Sequence, residues 1–522
     1  MKSNPSKIMS SHGAMRSLLT VMIILAFLFS VQAQVDDSGS DYQRDFENFS
    51  KDIVREYDGF RKTNDSIFLR YLEESWTELT GRTNKIPVTP KPAIQPAYES
   101  IPEKEDMRDL KLENVDQEDP DQKEFELNDH DQKHLDQKDE NLNDSTSAHL
   151  NRIPEPDALL NDQNITFYGS TINLPPFNTS MPLLEGLSKE AASNFYLQAS
   201  ISDQFKELLA QVRMKALRHR LNDWGYTSLL MKVAGFYYTD NNNRNAFLWA
   251  ALLMSGLNVK LGLNSKGAYL LVPADVMLYG VSYTIGQKEY YPIGPTTPSA
   301  GEKLSVHQAD YPGNRHDFII SIHKAPLFED DPVLVQINSD KTLALTINKN
   351  LIEYYQNYPP CDLKVPFNAP LTESVIKQLD RLLLHLLEGK DDDARTAMLL
   401  RFVQRAFRYK NDDLQFGKEK YQFAEELLFN GAGDCEDRAA LFAVLLNRYT
   451  KHDIIGLRYP DHISVAVNLT ECKSQDVIRY NGRSFYHCDP TYLGAECGRA
   501  MPAVSEQNPE IINLQNHEIT NL

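Results

Sequence analysis

A net positive charge, paired cysteines of zinc-type spacing and, after residue 33, any long apolar run are missing from this chain, and each absence removes a class of function. After residue 33 no segment is long and apolar enough to cross a bilayer, which takes ~20 consecutive residues. Lys and Arg number 54 against 73 Asp and Glu, so the net charge is −19 and the basic footprint of a nucleic-acid-binding protein is excluded. Five cysteines are present, none in a Cys-x-x-Cys pair, and the His-x-x-x-His at His130 and His134 has no cysteine near it, so the spacing of a structural zinc site is lacking.

What remains is a globular composition, 41% apolar over 522 residues, with room for several domains. Residues 1–33 have the layout of a secretory signal. Lys2, Lys7 and Arg16 precede an apolar run of 14 residues, Leu18 to Val31, and Val-Gln-Ala before Gln34 has the small-residue ending of a cleavage site. No cysteine stands there to carry a lipid. Export places the chain in a periplasm or outside the cell, where thiols meet oxidising conditions. The cysteines are Cys361, Cys435, Cys472, Cys488 and Cys497. The short loop between Cys488 and Cys497 is the favoured pairing, and a set of free buried thiols is the alternative.

Residues 42–80 carry apolar side chains at spacings of three and four, which predicts an amphipathic helical segment and a cell-envelope partner for it. A linker follows over 81–160, Pro-rich at first and then acidic. Between Glu103 and Asp144 there are 17 acidic residues against 6 Lys and Arg, with almost nothing apolar to bury, so this stretch reads as a disordered spacer. A cation-binding role for the tract lacks the glycine turn and spaced ligands of a calcium loop. From about residue 160 the pattern is α+β. One helical pattern spans 188–221 and another 245–254, followed by strand-like runs between 259 and 293. A small β unit is expected over 303–368, with strands at 318–323, 333–337 and 343–347. Helices resume at 372–387 and 393–409, leading into a domain over 369–500 and a tail over 501–522.

The stretch Gly431-Ala432-Gly433-Asp434-Cys435-Glu436-Asp437 puts a thiol at the first turn of a helix that is apolar nearly all round. Unpaired amides and the helix dipole there favour the thiolate. Downstream, His462 opens a strand pattern and Asp489 closes another before Pro490. A helix tip facing two strand ends lets a nucleophile, a base and an orienting carboxylate meet. Gln404, on the preceding helix, is a candidate oxyanion-hole donor beside the Cys435 amide. His487 is the rival base, and Cys435, His462, His487 and Cys488 are the residues a zinc alternative would use.

These residues resemble the transglutaminase-like superfamily of papain-like cysteine enzymes, in its bacterial exported members. The resemblance rests on Gly-Asp-Cys-Glu-Asp, on Asp461-His462 before an apolar strand, and on Phe-Tyr-His-Cys-Asp-Pro-Thr at 485–491, and it covers about residues 372–498. It implies a central helix packed on an antiparallel sheet, the catalytic triad Cys435, His462 and Asp489, and neither metal nor organic cofactor. It also implies a protein or peptide substrate. The activity expected is hydrolysis of peptide or other amide bonds through an acyl-enzyme thioester. A cross-linking transamidase and a non-catalytic cell-envelope scaffold are the alternatives.

An earlier region can be laid on this one. Asn245–Leu253 matches Arg438–Leu446, and Gly294-Pro295-Thr296 matches Asp489-Pro490-Thr491. Cys435 then falls on Asn242, His462 near Gly267 and Asp489 on Gly294, so residues 161–302 read as a degenerate copy that lacks all three chemical groups.

Overall fold

The computed structural model describes residues 76–85, 163–177, 180–309, 311, 315–337, 344–472 and 476–514. The signal segment, the acidic tract and most of the 42–80 and 81–160 segments lie outside the described residues. Within them the chain is α+β, with eleven helices, antiparallel sheets and one short parallel pair of strands.

Two short strands, β1 (Trp76–Thr80) and β2 (Arg82–Asn84), come first. Trp76 to Thr80 were expected to continue an amphipathic helix, and 82–84 to begin the linker; both expectations are corrected. Three threonines in eight residues suit a pleated strand better than a helix. β1 and β2 also cover the two edges of one sheet, whose free backbone groups need partners. A hairpin, β3 (Asn164–Phe167) and β4 (Ser170–Asn173), then leads to four helices.

These helices are α1 (Lys189–Ile201), α2 (Asp203–Arg218), α3 (Asp223–Tyr237) and α4 (Asn241–Met254). Each begins at a polar cap: Ser188, Ser202, Asn222 and Asp240 accept the amides of Ala191, Phe205, Gly225 and Asn243. The single helix expected over 188–221 is therefore two, divided at Ser202. Its extended backbone ends one helix while its hydroxyl starts the next. The helix α3 was not anticipated. From Asn245 to Leu253, α4 is buried on every side.

The strands β5 (Lys260–Leu263), β6 (Ala268–Pro273), β7 (Gly280–Ile285), β8 (Lys288–Ile293) and β9 (Lys303–His307) complete a seven-stranded sheet of order β1-β9-β5-β6-β8-β7-β2. Lys303–His307 thus belongs to this sheet and not to a separate β unit. Next in the chain is a two-stranded ribbon, β10 (Pro332–Gln336) with β11 (Ala344–Asn348), and then helices α5 (Lys349–Gln356) and α6 (Lys364–Asn368). No strand forms over 318–323; Phe318 makes only an isolated bridge to Ala274.

The last part of the chain contains α7 (Glu373–Leu387), α8 (Asp392–Ala406), β12 (Arg408–Tyr409), α9 (Asp412–Gln415), α10 (Ala424–Asn430), β13 (Ala432–Gly433) and α11 (Cys435–Tyr449). After them come β14 (Ile454–Tyr459), β15 (His462–Val467), β16 (Val477–Tyr480), β17 (Arg483–Cys488) and β18 (Glu510–Asn513), in the order β16-β17-β15-β14-β18. The residues expected to form a tail therefore supply an edge strand. α11 packs on β15 and against α8, and its apolar side chains lie in one hydrophobic core with those of α7, α8 and β15.

The two sheets share a plan. Counted in chain order, β9-β5-β6-β8-β7 and β18-β14-β15-β17-β16 both run fifth, first, second, fourth, third. Their registers agree as well. Leu263 faces Ala268 as Arg458 faces Ile463, Leu270 faces Ile293 as Val465 faces Cys488, and Tyr283 faces Tyr290 as Ile478 faces Phe485. Position 463 against 268, 488 against 293 and 485 against 290 all give the same shift of 195 residues. A one-residue slip would send every side chain to the opposite face, so this agreement is demanding. Each sheet also carries a buried helix, α4 on β6 and α11 on β15.

Two substitutions test this packing. Gly294 has φ +132°, a conformation open essentially to glycine alone, and a Cβ there would collide with the Asn245 side chain. Gly294→Ala is expected to cost about 1–3 kcal/mol in chemical denaturation; an unchanged midpoint would contradict the backbone described. Glu425 is buried on α10 and accepts the Thr372 amide; burial pushes its carboxyl from 4.5 up to about 7. The folded state then holds this proton more tightly than the unfolded one. Its contribution is fully present below about pH 4.5 and is lost as pH rises through about 7. Glu425→Gln should flatten that fall in stability between pH 5 and 8, and identical pH profiles would refute the assignment.

Candidate active site

The glycines before Cys435 have separate tasks. Gly431 ends α10 with φ +63°, its amide bonded to the Leu427 carbonyl at 2.9 Å, a left-handed stop that glycine makes without strain. Gly433 packs so tightly that a Cβ would lie 2.8 Å from the Leu427 side chain. Between them β13 pairs in parallel with β12, which ties the approach to Cys435 to the end of α8. The chain leaves this bridge at Asp434, the N-cap, so Cys435 is the first residue of α11.

His462 is the first residue of β15, and Asp489 follows β17, the strand beside it. Their side chains meet: His462 Nε2 lies 2.7 Å from Asp489 Oδ2. The other Asp489 oxygen accepts the amides of Thr491 at 2.8 Å and Tyr492 at 3.2 Å. Burial disfavours the Asp489 carboxylate, yet His462 and these amides hold it below the usual carboxylate range. Burial likewise opposes protonation of His462, but the carboxylate outweighs it and raises the imidazole pKa. His462 Nδ1 is buried with no hydrogen-bond partner. The backbone amide of Ile463, the next residue, lies close enough to the Cys435 thiol to act against the rise in its pKa. The helix tip and the strand start thus converge, with one imidazole nitrogen spent on Asp489 and the other unspent.

His487, the rival base, is engaged elsewhere. Its Nε2 lies 3.0 Å from the Tyr459 hydroxyl, and the two rings stack at 6.0 Å between centroids. Burial lowers its pKa. All five cysteines are thiols, although those of Cys488 and Cys497, the favoured pair, are within hydrogen-bonding reach of each other.

Two expectations at this site are corrected. The first concerns Gln404, whose side chain does not present a donor to Cys435. Its Nε2 donates to the carbonyls of Asp489, Tyr492 and Ala495 at 3.0, 2.9 and 3.1 Å, and its Oε1 accepts the Gly494 amide at 3.3 Å. It fastens the loop that carries Asp489. The second concerns the resting thiolate. Cys435 is 1% exposed, and its sulfur donates to Glu436 Oε2 at 3.0 Å. Burial pushes the thiol well above its ordinary range, and the Glu436 and Asp434 carboxylates push it further. A helix N-terminus contributes at most ~2 kcal/mol, while full burial shifts a group by up to about 3–5 pKa units, so burial wins.

The rest of this acidic neighbourhood was not anticipated. Asp437 accepts the Gln422 amide at 2.8 Å, and its carboxyl is pushed up to about 7 by burial and by Glu436. Asp412, on α9, is pushed up to about 9 by burial and by Asp437. Asp434 rises well above the usual range, again through burial first. Asp434, Glu436 and Asp437 stand in the motif and were legible; Asp412 is brought in only by the fold. Among the described residues, Asp412, Asp434 and Glu436 form the one grouping with metal-ligand spacing, and the zinc set does not assemble.

The equivalent place in the first sheet is filled differently. Asn242 Oδ1 accepts the Ala268 amide at 3.0 Å, and Ala268 is the register counterpart of Ile463, whose amide acts on the Cys435 thiol. Asn245 Nδ2 donates to the Ala268 carbonyl at 2.9 Å and to Thr296 Oγ1 at 3.1 Å. Gly267 and Gly294 stand at the counterparts of His462 and Asp489. No protein-family model matches the chain, and no curated protein matches it.

The tethering role of Gln404 has a direct check. Gln404→Leu leaves buried carbonyls unpaired and is expected to cost about 1–3 kcal/mol. Limited proteolysis should then cut between 489 and 495 faster than in the wild type. Unchanged stability and cleavage would show that the loop is held by other contacts.

Proposed function

We propose that residues 369–514 are a transglutaminase-like thiol enzyme, exported from the cell, that hydrolyses peptide or other amide bonds. The observation that carries this reading is the His462–Asp489 pair at 2.7 Å, with the second imidazole nitrogen unpartnered and Cys435 near enough to the start of β15 for the Ile463 amide to act on its thiol. In the reaction His462 Nδ1 takes the Cys435 proton as the sulfur attacks the substrate carbonyl carbon. The imidazolium, stabilised by Asp489, returns that proton to the departing amine, which leaves a thioester on Cys435. Water, deprotonated by the same nitrogen, then releases the acid and restores the thiol. The Cys435 amide, at the helix start, is the proposed oxyanion donor. The raised thiol pKa suits this order of events, because proton transfer to His462 accompanies attack and no standing thiolate is required.

The matching order and register of the two sheets support reading residues 161–302 as a degenerate copy of this domain, retained for packing or substrate binding. The proposed signal segment supports export. No helix among the described residues is long and apolar enough to cross a membrane. A second reading, a cell-envelope scaffold with a vestigial triad, draws on the burial of Cys435 and its bond to Glu436. If the scaffold reading is right, the thiol is inert.

Alkylation by a small thiol-directed electrophile near neutral pH separates the two. Cys435 should be modified in the wild type, and His462→Ala should slow its modification at least tenfold, given that a positioned base contributes about 10²–10⁴-fold. His487→Ala should leave the rate unchanged. Equal rates in wild type and His462→Ala would favour the scaffold.

A further inference from the structure

The triad leaves unexplained why three carboxylates are buried together at the tip of α11. One oxygen from each of Asp412, Asp434 and Glu436 lies within 4.8 Å of the other two, and the residues are only 2%, 7% and 1% exposed. Asp412 Oδ2 accepts the Lys420 amide at 2.6 Å, but Asp412 Oδ1 has no hydrogen-bond partner. Asp434 Oδ1 has none either. A buried carboxylate oxygen without a donor is costly, and two in one cluster of like charges are more so. The arrangement has the form of a coordination shell.

We propose that Asp412, Asp434 and Glu436 bind a hard divalent cation, with Ca²⁺ the best fit. All the ligand atoms are oxygens, which selects hard cations over zinc or copper. Ca²⁺ holds its oxygens at about 2.3–2.6 Å, so ligands on opposite sides of it are about 4.6–5.2 Å apart. Separations of no more than 4.8 Å fall within the span of oxygens around one Ca²⁺. Mg²⁺, at about 2.0–2.1 Å, brings opposite ligands to about 4.2 Å and requires the cluster to contract wherever its oxygens stand farther apart. Asp434 and Glu436 flank Cys435 at the start of α11 and the third ligand arrives from α9, so the ion would join two elements that otherwise repel through like charges. This site departs from the expectation, drawn from the resemblance, that no metal is present. It stands apart from the enzyme reading, because a scaffold with an inert Cys435 would bind the cation equally.

The alternative is that the carboxyls share protons and bind nothing. Chelator-treated full-length protein is titrated with Tb³⁺, a luminescent Ca²⁺ substitute. Tyr409, whose hydroxyl feels the charges of Asp434 and Glu436, serves as the sensitiser. Ca²⁺ is then used to displace the Tb³⁺, and melting temperature is recorded with and without Ca²⁺. The wild type is expected to show sensitised emission that Ca²⁺ displaces, and a higher melting temperature with Ca²⁺. Asp412→Asn and Asp434→Asn should each weaken Ca²⁺ binding at least tenfold. Without the cation they should melt no lower than the wild type, because each removes a charge from the cluster. The acidic tract at 103–144 is common to all three proteins, so only their difference reports on this site. Emission and Ca²⁺ response identical in wild type and both variants would overturn the proposal, as would a wild type that responds to neither ion.

Discussion

Burying the first turn of α11 beneath an antiparallel sheet is the constraint on which the rest of the structure turns. The helix is apolar from Ala439 to Leu446 and has to sit in the core, and its polar tip is carried in with it. That tip brings Cys435 against the start of β15, where the Ile463 amide acts on its thiol. It also takes Asp434, Glu436 and Asp437 out of water, which raises Asp434 and Asp437 above their ordinary range and keeps the thiol protonated. The thiol, the imidazole pair and the acidic cluster are three consequences of one packing arrangement. Gly431 and Gly433 make it possible, the first by reversing the chain and the second by leaving no side chain in the way.

The same sheet order and register occur twice in the chain, with different residues at the tip of the buried helix. Around α4 the equivalent tip carries Asn242, and its amide oxygen accepts the Ala268 amide, the counterpart of the Ile463 amide that acts on the Cys435 thiol around α11. Gly294 is locked by its positive φ and by Asn245, so a carboxylate cannot be placed there by one substitution. The first sheet therefore differs from the second by more than three side chains, because its backbone at Gly294 has a conformation that excludes a side chain there.

Much of this was legible in the residues. The helix at 435–449, the strands that begin at His462 and end before Asp489, and the correspondence of Gly267 and Gly294 with His462 and Asp489 all follow from apolar periodicity and from turn residues. The misses share a physical origin in tertiary contact. Trp76–Thr80 continues a helical spacing but is drawn into a strand by the open edge at β9. Residues 510–513 look like a tail until β14 offers them a ladder. Gln404 sits where an oxyanion donor was expected, yet its amide is taken by the carbonyls of the 489–495 loop, which no local pattern announces. Asp412 joins the acidic cluster from 22 residues before Asp434, a proximity created by the β12–β13 bridge.

The central claim is that Cys435, assisted by His462, forms an acyl-enzyme. Intact-mass and peptide-level mass spectrometry after brief exposure to an activated acetyl ester tests it most directly. The account requires a thioester-linked acetyl group on Cys435 that accumulates in the wild type and is absent from His462→Ala. Acetylation confined to other residues, or present on Cys435 to the same extent without His462, would contradict it.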